Sequence, residues 1–475
     1  TGVVAAAVIS MGLISLPIML RYGYNRTIAT GTITASGTLA QAIPPSLVLI
    51  VLADQLGRSV GDMYAGALVP GLLLVGLYLS FIAVVAIVKP DWVPALPPEA
   101  RIYREDNGAS GHKSLLALLA ICGAAGWGWA QVHESIMNPW MERTLPAPGD
   151  EVVIMSMTVA SFLALGLAMV NRVLKMGLLS KLAERFTFVL IPPLVLIFLV
   201  LGTIFLGVAT PTEGGAMGAV GALLMAMSRG QINRRLMNQA LDSTARLSCF
   251  VLFILIGSTV FSFTFNAADG HIWVEHLFDN MPGGAMGFLI VVNLLVFVLG
   301  MFIDFFEIAF IVVPMLAPVA EKLLPELLPE GYPADFALVW FGVILAMNLQ
   351  TSFLTPPFGF ALFYLRSVAA KKDYKDRVTG EMIPAVQTSE IYKGSIAFIV
   401  LQLIMVAVVI AYPTLVSGDG TQATKIDADQ ALEQMMGGDS PQAEPSMDGL
   451  EPAGAASEPD PMDAFKGMEK PAESK

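Results

Sequence analysis

The sequence predicts an all-α polytopic membrane protein built from two repeats, each of which contains a broken helix. Composition is the first reason, since 55% of the 475 residues are hydrophobic, only 14% are charged and the mean hydropathy is +0.68. Such a chain is too apolar for an ordinary soluble domain. The second reason is that apolar stretches of about 20 residues, the length of a spanning helix, recur along the chain. The third is a double proline that occurs twice in matching surroundings, at 44–45 and 356–357.

The charges of the loops between the apolar stretches predict on which side of the membrane each loop lies. Basic residues cluster at 172–185 and 229–235 with two apolar passes between them, so both loops are predicted to be cytoplasmic. The acidic connection 266–281 fits the opposite side.

The apolar stretches fall into two groups. The continuous stretches are 2–20, 63–88, 114–132, 152–170, 188–208, 247–265, 285–303 and 395–412. The shorter or interrupted stretches, candidates for half-helices and re-entrant hairpins, are 27–54, 214–227, 305–320 and 336–365.

Each double proline must break its helix, because proline lacks the backbone N–H and its ring clashes with the preceding turn. A break in hydrocarbon leaves polar backbone groups unsatisfied, at a cost of several kcal/mol each. Membrane proteins therefore tolerate breaks where they are buried in protein or line a cavity. Pro44–Pro45 and Pro356–Pro357 consequently mark a predicted binding site.

The sequences around the two double prolines match. Upstream, residues 16–20 (LPIML) correspond to 313–317 (VPMLA), and downstream, residues 62–67 (DMYAGA) correspond to 390–395 (EIYKGS). Two halves with one broken segment each are typical of secondary transporters, in which the broken helices of two repeats meet near the membrane midplane. The alternative is that a proline pair simply ends a membrane helix, which is the expectation for Pro192–Pro193 near a helix start.

Hydroxyls, amides and exposed carbonyls surround both breaks, without charged groups. Neutral hard oxygens of this kind suit Na⁺ better than a divalent metal, which usually recruits carboxylates. For any single hydroxyl, a hydrogen bond to the preceding helical turn is the competing interpretation. The candidate site residues are Ser36, Gly37, Thr38, Pro44, Pro45 and Ser46 at the first break, and Asn348, Gln350, Thr351, Ser352, Thr355, Pro356, Pro357 and Gly359 at the second. The residues predicted to hold Na⁺ are Gly37, Thr38, Gln350, Ser352 and Thr355.

Two further segments contain candidate polar groups. Thr210, Thr212 and Glu213 follow an apolar span, and Thr210 with Pro211 and Glu213 reads as a capping box with proline at the first helical position. A helix that begins at this depth can also direct free backbone donors at an anion. Asp304 lies among apolar residues, where a carboxylate is either functional or at the membrane interface.

The chain resembles the large membrane permease of tripartite ATP-independent periplasmic (TRAP) transporters, in the branch labelled mannitol/chloroaromatic. The resemblance rests on residues 38–52, on the run GVATPTE at 207–213 and on TPPFG at 355–359. It implies an inverted-repeat elevator transporter in the bacterial inner membrane, with two re-entrant hairpins whose tips map onto 36–46 and 348–359. It also implies Na⁺ coupling, a small carboxylate substrate, a periplasmic substrate-binding protein, a small four-helix membrane subunit, and no enzymatic activity or other cofactor.

The chain departs from this family in two places. Family members have about one more helix-containing segment before Thr1, so the first repeat is expected to be truncated here. The link between the halves is also longer than expected. The predicted regions are a truncated first repeat at 1–88 with a hairpin at 27–55, an inserted linker with two extra transmembrane helices at 89–186, a second repeat at 187–417 with a hairpin at 336–366, and a disordered tail at 418–475. This tail carries thirteen acidic residues and four lysines.

Other functions remain open at this point. Another ion-coupled anion transporter, or an anion channel, would share the broken helices. A membrane-embedded enzyme would be expected to have paired intramembrane carboxylates or a His/Glu metal motif, and the sequence reveals neither. Cys122 and Cys249 lie far apart in apolar runs and suggest neither a disulfide framework nor a metal cluster. A lipid bilayer is the expected environment, and no nucleic-acid partner is predicted.

Overall fold

A computed structural model describes residues 4–97, 111–141, 143, 146–175, 177–279, 282–376 and 378–416 of the chain. The tail predicted for 418–475 and the start of the chain at Thr1 lie outside these residues. Throughout the described part the fold is helical apart from one hairpin of two short strands, β1 (Tyr374–Lys375) and β2 (Met382–Ile383). Eight of the described helices are long and apolar enough to cross a membrane. The predicted all-α polytopic membrane protein is therefore confirmed.

The helices follow one another with short connections, and short 3₁₀ turns extend several of them. A π-helical turn at Ile308–Val312 joins α12 to α13, so that these two helices form one continuous segment. The helices are α1 (Val4–Arg21), α2 (Arg26–Thr38), α3 (Leu47–Gln55), α4 (Val60–Val88), α5 (His112–Trp140), α6 (Gly149–Leu174), α7 (Lys181–Phe205), α8 (Pro211–Ser228), α9 (Arg234–Ala267), α10 (Gly270–Asp279), α11 (Gly284–Gly300), α12 (Phe305–Glu307), α13 (Val313–Leu323), α14 (Phe336–Ser352), α15 (Phe360–Val368) and α16 (Thr388–Ala411).

Helix α16 defines two ends of the helical bundle. Near its start, Glu390 pairs with Arg26 at 3.5 Å. Near its end, the carbonyl of Val409 accepts a hydrogen bond from Trp340 Nε1 at 2.9 Å. At a rise of about 1.5 Å per residue these two contacts lie roughly 28 Å apart, about the thickness of a hydrocarbon core. We call the end with Arg26 and Glu390 the basic end, and the end with Trp340 and Val409 the opposite end.

The first broken element, α2 followed by α3, runs from the basic end to the opposite end. Helix α2 starts at Arg26, beside Glu390. Just beyond α3, Arg58 pairs with Asp335 at 3.3 Å, directly before α14, and with Glu321 at 3.8 Å. The chain therefore crosses the bundle through this break instead of turning back at it.

The second broken element, α14 followed by α15, crosses in the reverse direction. Helix α14 begins at the opposite end, where Trp340 reaches Val409. Helix α15 finishes at the basic end, where Arg366 Nη1 donates to the carbonyl of Val386 at 2.6 Å. The re-entrant hairpins predicted at 27–55 and 336–366 are therefore wrong in their path, and both elements are discontinuous spanning helices. The two double prolines mark where these helices are interrupted, but not whether the next helix continues or reverses. Pro192–Pro193, by contrast, lies inside the continuous helix α7 and does not end it.

Helix α11 and the α12–α13 segment do form a re-entrant hairpin. Helix α11 starts beside α10, where the rings of Phe278 and Phe288 lie 4.9 Å apart. The α12–α13 segment finishes beside α10 as well, where Lys322 pairs with Glu275. The connection at 301–304 is thus a tip within the bundle, and both arms lead back to the opposite end.

The hydrophobic core centres on α14, in which every residue from Phe336 to Ser352 is buried. Helices α3, α4, α11, α13 and α16 pack around it. Helices α5, α6 and α7 pack on one another and form a separate group, with a small second hydrophobic cluster. Because α14 is enclosed by protein, its broken end is shielded from lipid, as an unwound backbone in a membrane requires.

Candidate functional site

The two breaks meet inside the bundle. Gln350 Nε2, in the last turn of α14, donates a hydrogen bond to Thr38 Oγ1, the last residue of α2, at 3.3 Å. Both side chains are completely buried. This bond joins residues 312 positions apart in the sequence, so the two proline-marked segments form one polar centre.

The helix ends at this centre favour positive charge. Helix α2 ends at Thr38 and α14 ends at Ser352, so the free C-terminal carbonyls of two half-helices lie near the same place. The carboxyl end of a helix carries about half a negative charge. The other two half-helices begin just beyond the breaks, and Ser46 caps α3 by accepting from the N–H of Leu49 at 3.3 Å.

Four hydroxyl groups of the breaks donate to the turn that precedes them. Thr38 Oγ1 donates to the carbonyl of Ala35 at 2.9 Å, and Ser352 Oγ donates to that of Leu349 at 2.6 Å. Thr351 and Thr355 form equivalent bonds to Asn348 and Thr351 at 2.6 and 2.7 Å. The hydrogen bond to the preceding turn, which was the competing interpretation of each hydroxyl, is therefore present. Such a bond uses only the hydroxyl proton. The oxygen lone pairs stay available as acceptors.

The amide groups have oxygen atoms without partners. Asn348 Nδ2 donates to the backbone carbonyl of Asn293 at 2.7 Å and to its side-chain oxygen at 3.1 Å. Asn348 Oδ1, Gln350 Oε1 and Gln41 Oε1 are buried and find no hydrogen-bond partner among the described residues. A buried oxygen without a partner costs free energy. Three such oxygens, all neutral, match the donor set that a monovalent cation takes, so the residues present fit Na⁺.

Gln41 and Asn293 were not among the predicted site residues. Gln41 lies between Thr38 and Pro44 in the first break, where its position was a usable signal. Ser46 Oγ donates to the carbonyl of Gln41, which closes the turn around the prolines. Asn293 is a single amide within the apolar helix α11, and nothing local in the sequence connects it with Asn348, 55 residues away.

The tip between α11 and α12 reaches the second break. Gly300, the last residue of α11, lies so close to Ser352 that a Cβ at this position would be 2.6 Å from Ser352 Cβ. Asp304 follows at the start of α12, where its side chain makes no capping hydrogen bond. Asp304 also lies near enough to Tyr364 of α15 to interact with it electrostatically. Asp304 is thus placed beside the second broken helix.

Parts of each break are accessible. At the first break Ser36 is exposed, whereas Gly37, Pro44 and Ser46 are buried and Pro45 is half-buried. At the second break Pro357 and Phe358 are exposed, whereas Gly359 is buried and Pro356 is half-buried. Each break therefore has an exposed part, while the amide and threonine side chains near it are buried.

Thr210, Thr212 and Glu213 occupy a different place. The Thr210 backbone N–H donates to Glu213 Oε2 at 2.8 Å, and the Glu213 N–H donates to Thr210 Oγ1 at 3.3 Å, which forms the expected capping box at the start of α8. All three side chains are exposed. None of the described hydrogen bonds or ion pairs joins them to either break.

Spanning helices, two antiparallel broken helices and a buried neutral centre where they meet define an integral membrane protein of the transporter class. The chain belongs to the DctM component family of the tripartite ATP-independent periplasmic transporters, whose family model matches residues 1–415. This confirms the resemblance to TRAP large permeases seen in the sequence. Members of this family are transport permeases and not enzymes, and the chain is a multi-pass protein of the bacterial inner membrane.

Characterised relatives are similar over most of the chain. The C4-dicarboxylate TRAP transporter large permease DctM of Pseudomonas aeruginosa is 24% identical over 365 residues, which cover 76% of this chain and 64% of the relative. The protein of the same description from Rhodobacter capsulatus is 26% identical over 86% of this chain and 74% of its own length. The sialic acid TRAP transporter permease SiaT of Haemophilus influenzae is 23% identical over 60% of this chain and 41% of its own length.

Proposed function

We propose that this chain is the large membrane subunit of a Na⁺-coupled transporter that takes up a small organic acid as its carboxylate. The relatives support an organic acid as substrate, since their descriptions name C4-dicarboxylates and sialic acid, which are carboxylates, and isethionate, which is a sulfonate. By the same family relationship, a small four-helix membrane subunit completes the complex and a periplasmic binding protein delivers the substrate.

The observation that carries the proposal is the junction of Gln350 with Thr38. It brings two half-helix carboxyl ends together with buried oxygens that lack partners. Na⁺ would be held there by neutral oxygens from both halves of the chain, so that its binding ties the two breaks together. The residues assigned to this site are Gly37, Thr38, Gln41, Asn348, Gln350, Ser352 and Thr355.

The substrate carboxylate would bind where the second half-helices begin. Helices α3 and α15 start just after the prolines, at Leu47 and Phe360, and their amino ends direct free N–H groups and positive potential at the breaks. Ser46, Pro357 and Gly359 would line the approach. The carboxylate of Asp304, next to α15, would add a negative charge that a bound cation offsets. Contact of Thr210, Thr212 and Glu213 with the substrate or the ion stays a prediction.

The contacts between the halves support an inverted repeat. Gly66 of α4 lies against Val339 of α14, whereas its sequence counterpart, Gly394 of α16, lies against Gly31 of α2. Helix α4 of the first half thus packs on the broken element of the second half, and helix α16 of the second half packs on that of the first. We assign residues 1–88 and 187–417 to the two repeats and 89–186 to an inserted linker, and we expect the assembly around the breaks to move as the transported unit of an elevator.

Uptake of a radiolabelled C4-dicarboxylate into proteoliposomes tests the function. The liposomes contain this subunit with its small membrane partner, and the periplasmic binding protein is added outside. We expect uptake to need both an inward Na⁺ gradient and the binding protein. Uptake that proceeds equally with a K⁺ gradient would contradict Na⁺ coupling. Passive flux in the absence of the binding protein would favour a channel instead.

A further inference from the structure

In the loop at 370–387, between α15 and α16, the described residues form a hydrogen-bonded structure at the basic end. Its two strands pair antiparallel, Tyr374 with Ile383 and Lys375 with Met382. The N–H of Val386 donates to the carbonyl of Ala370 at 3.1 Å and so closes the base of the loop. Backbone hydrogen bonds therefore fix the shape of the loop, and groups attached to it are held at defined positions.

Asp376 attaches this loop to α1. Arg21 Nε lies 3.0 Å from both carboxylate oxygens of Asp376, and Arg21 Nη2 lies 2.9 Å from Oδ1. The N–H groups of Val378 and Thr379 donate to Oδ2 at 2.9 and 2.8 Å. Asp376 is only 5% exposed. A forked guanidinium–carboxylate contact that is shielded from water and braced on both sides is much more restrictive than an exposed ion pair.

The same loop holds both broken helices. Arg26, the first residue of α2, donates from Nη1 to the carbonyl of Ala385 at 3.2 Å. Arg366, near the end of α15, donates from Nη1 to the carbonyl of Val386 at 2.6 Å. Three helix ends from the two halves of the chain, those of α1, α2 and α15, are thus attached to one short segment.

Helix α1 transmits this attachment to the breaks, because it lies between α2 and α15. Gly12 of α1 packs so closely on α15 that a Cβ there would lie 2.7 Å from Val368 Cγ2 and 2.9 Å from Leu365 Cδ1. One turn earlier, Val8 fills the space beside Gly37, next to Thr38 at the first break. A displacement of α1 along its axis would therefore move side chains against both broken helices.

We propose that Arg21 and Asp376 are a positioning pair, which fixes α1 between α2 and α15 and thereby sets the spacing of the oxygens that bind Na⁺ at the breaks. The inference deepens the proposed function and rests on Na⁺ binding there. Neither residue contacts the ion. Their effect is exerted along α1 over about 20 Å, the rise of the thirteen steps from Val8 to Arg21 at about 1.5 Å each.

The test compares Asp376→Asn and Arg21→Gln with the wild type by thermal unfolding of the purified protein in NaCl titrations at constant ionic strength. Asp242→Asn in α9 is the matched control, because it removes an ion pair with Arg246 in which both side chains are largely exposed. We expect the Na⁺ concentration for half-maximal stabilisation to rise at least fivefold in both positioning variants and to stay unchanged in the control. A lower melting temperature with an unchanged half-maximal concentration would reduce the pair to a structural contact and overturn the proposal.

A second measurement separates this proposal from Na⁺ binding itself. Spin labels at Ser10 of α1 and Ser367 of α15, both exposed, report the distance between the two helices when Cys122 and Cys249 are replaced by alanine. We expect a broader distance distribution in Asp376→Asn than in the wild type, with or without Na⁺. A wild type that Na⁺ does not stabilise would overturn the proposed function. An unchanged distribution would overturn the positioning role.

Discussion

At the scale of single residues, Gln350 has the most specific role, because one end of its amide connects the two breaks and the other end has no partner. Gln350→Leu keeps the volume and removes both polar atoms. We expect the half-maximal Na⁺ concentration for thermal stabilisation to rise at least tenfold, which corresponds to about 1.4 kcal/mol. Asn171→Leu is the control, since Asn171 is a buried amide of α6 that accepts from the N–H of Leu178 at 2.9 Å and belongs to neither break. Equal effects of the two substitutions would contradict a special role for Gln350.

Asp376 gives a prediction for the dependence of stability on pH. The Thr379 N–H donates to its carboxylate and the Arg21 guanidinium pairs with it, so the pKa of Asp376 lies well below its ordinary value. A carboxyl group whose pKa folding lowers adds stability above its unfolded pKa of about 3.9 and loses it as the pH falls toward the folded pKa. We expect the wild-type melting temperature to fall more steeply below about pH 4 than that of Asp376→Asn. Parallel curves would show that folding does not lower this pKa.

Individual site residues were predictable where the local sequence is unusual. Thr38 and Gln350 could be selected because a proline pair follows each of them within a few residues. Asn293 could not be selected, because a single amide in an apolar helix has the same local sequence whether or not it reaches a partner. Its contact with Asn348 depends on how α11 packs on α14, which is a tertiary property.

At the scale of elements, the positions of the breaks were predictable but the direction of the chain after them was not. Proline lacks the backbone N–H, so each pair indicates an interruption close by, although α2 already ends at Thr38, six residues before Pro44, and α7 continues through Pro192–Pro193. The path beyond each break depends on distant ion pairs, such as those of Arg58 with Glu321 and Asp335. The segment that does return, at 301–304, contains no proline pair and was read as part of a continuous apolar stretch up to Ile303.

The crossing of α2 and α16 gives a prediction about packing. Gly31 and Gly394 meet there with backbone against backbone, and a Cβ on Gly31 would overlap the carbonyl of Gly394. Because backbone atoms cannot move aside as a side chain can, we expect Gly31→Ala to destabilise the protein by about 1–3 kcal/mol. Gly76→Ala in α4 is the control, since nothing lies within 4 Å of that position. Thermal unfolding of both variants in detergent measures the difference, and similar melting temperatures would contradict the close crossing.

At the scale of the whole molecule, the bundle has one end rich in basic residues. Helix α9 finishes beside α10, which lies at the opposite end, so α9 starts at the end of Arg21, Arg26 and Arg366. Because α8 and α7 precede it and cross in alternation, the clusters at 229–235 and 172–185 belong to this basic end as well. Membrane proteins keep short basic loops in the cytoplasm. The basic end is therefore expected to be cytoplasmic, with the 370–387 loop on the inner face of the membrane.

Cysteine labelling tests this orientation and the path through the second break together. Single cysteines at Glu330 and Lys372, both exposed, flank the element from α14 to α15 in a background without Cys122 and Cys249. A spanning element with its basic end inside predicts that a membrane-impermeant maleimide labels Glu330→Cys in spheroplasts, whereas Lys372→Cys reacts only after the membrane is permeabilised. A re-entrant hairpin would place both positions on one side of the membrane, so that they would be labelled together. That result would contradict the crossing at Pro356–Pro357 and, with it, the antiparallel arrangement that brings Gln350 to Thr38.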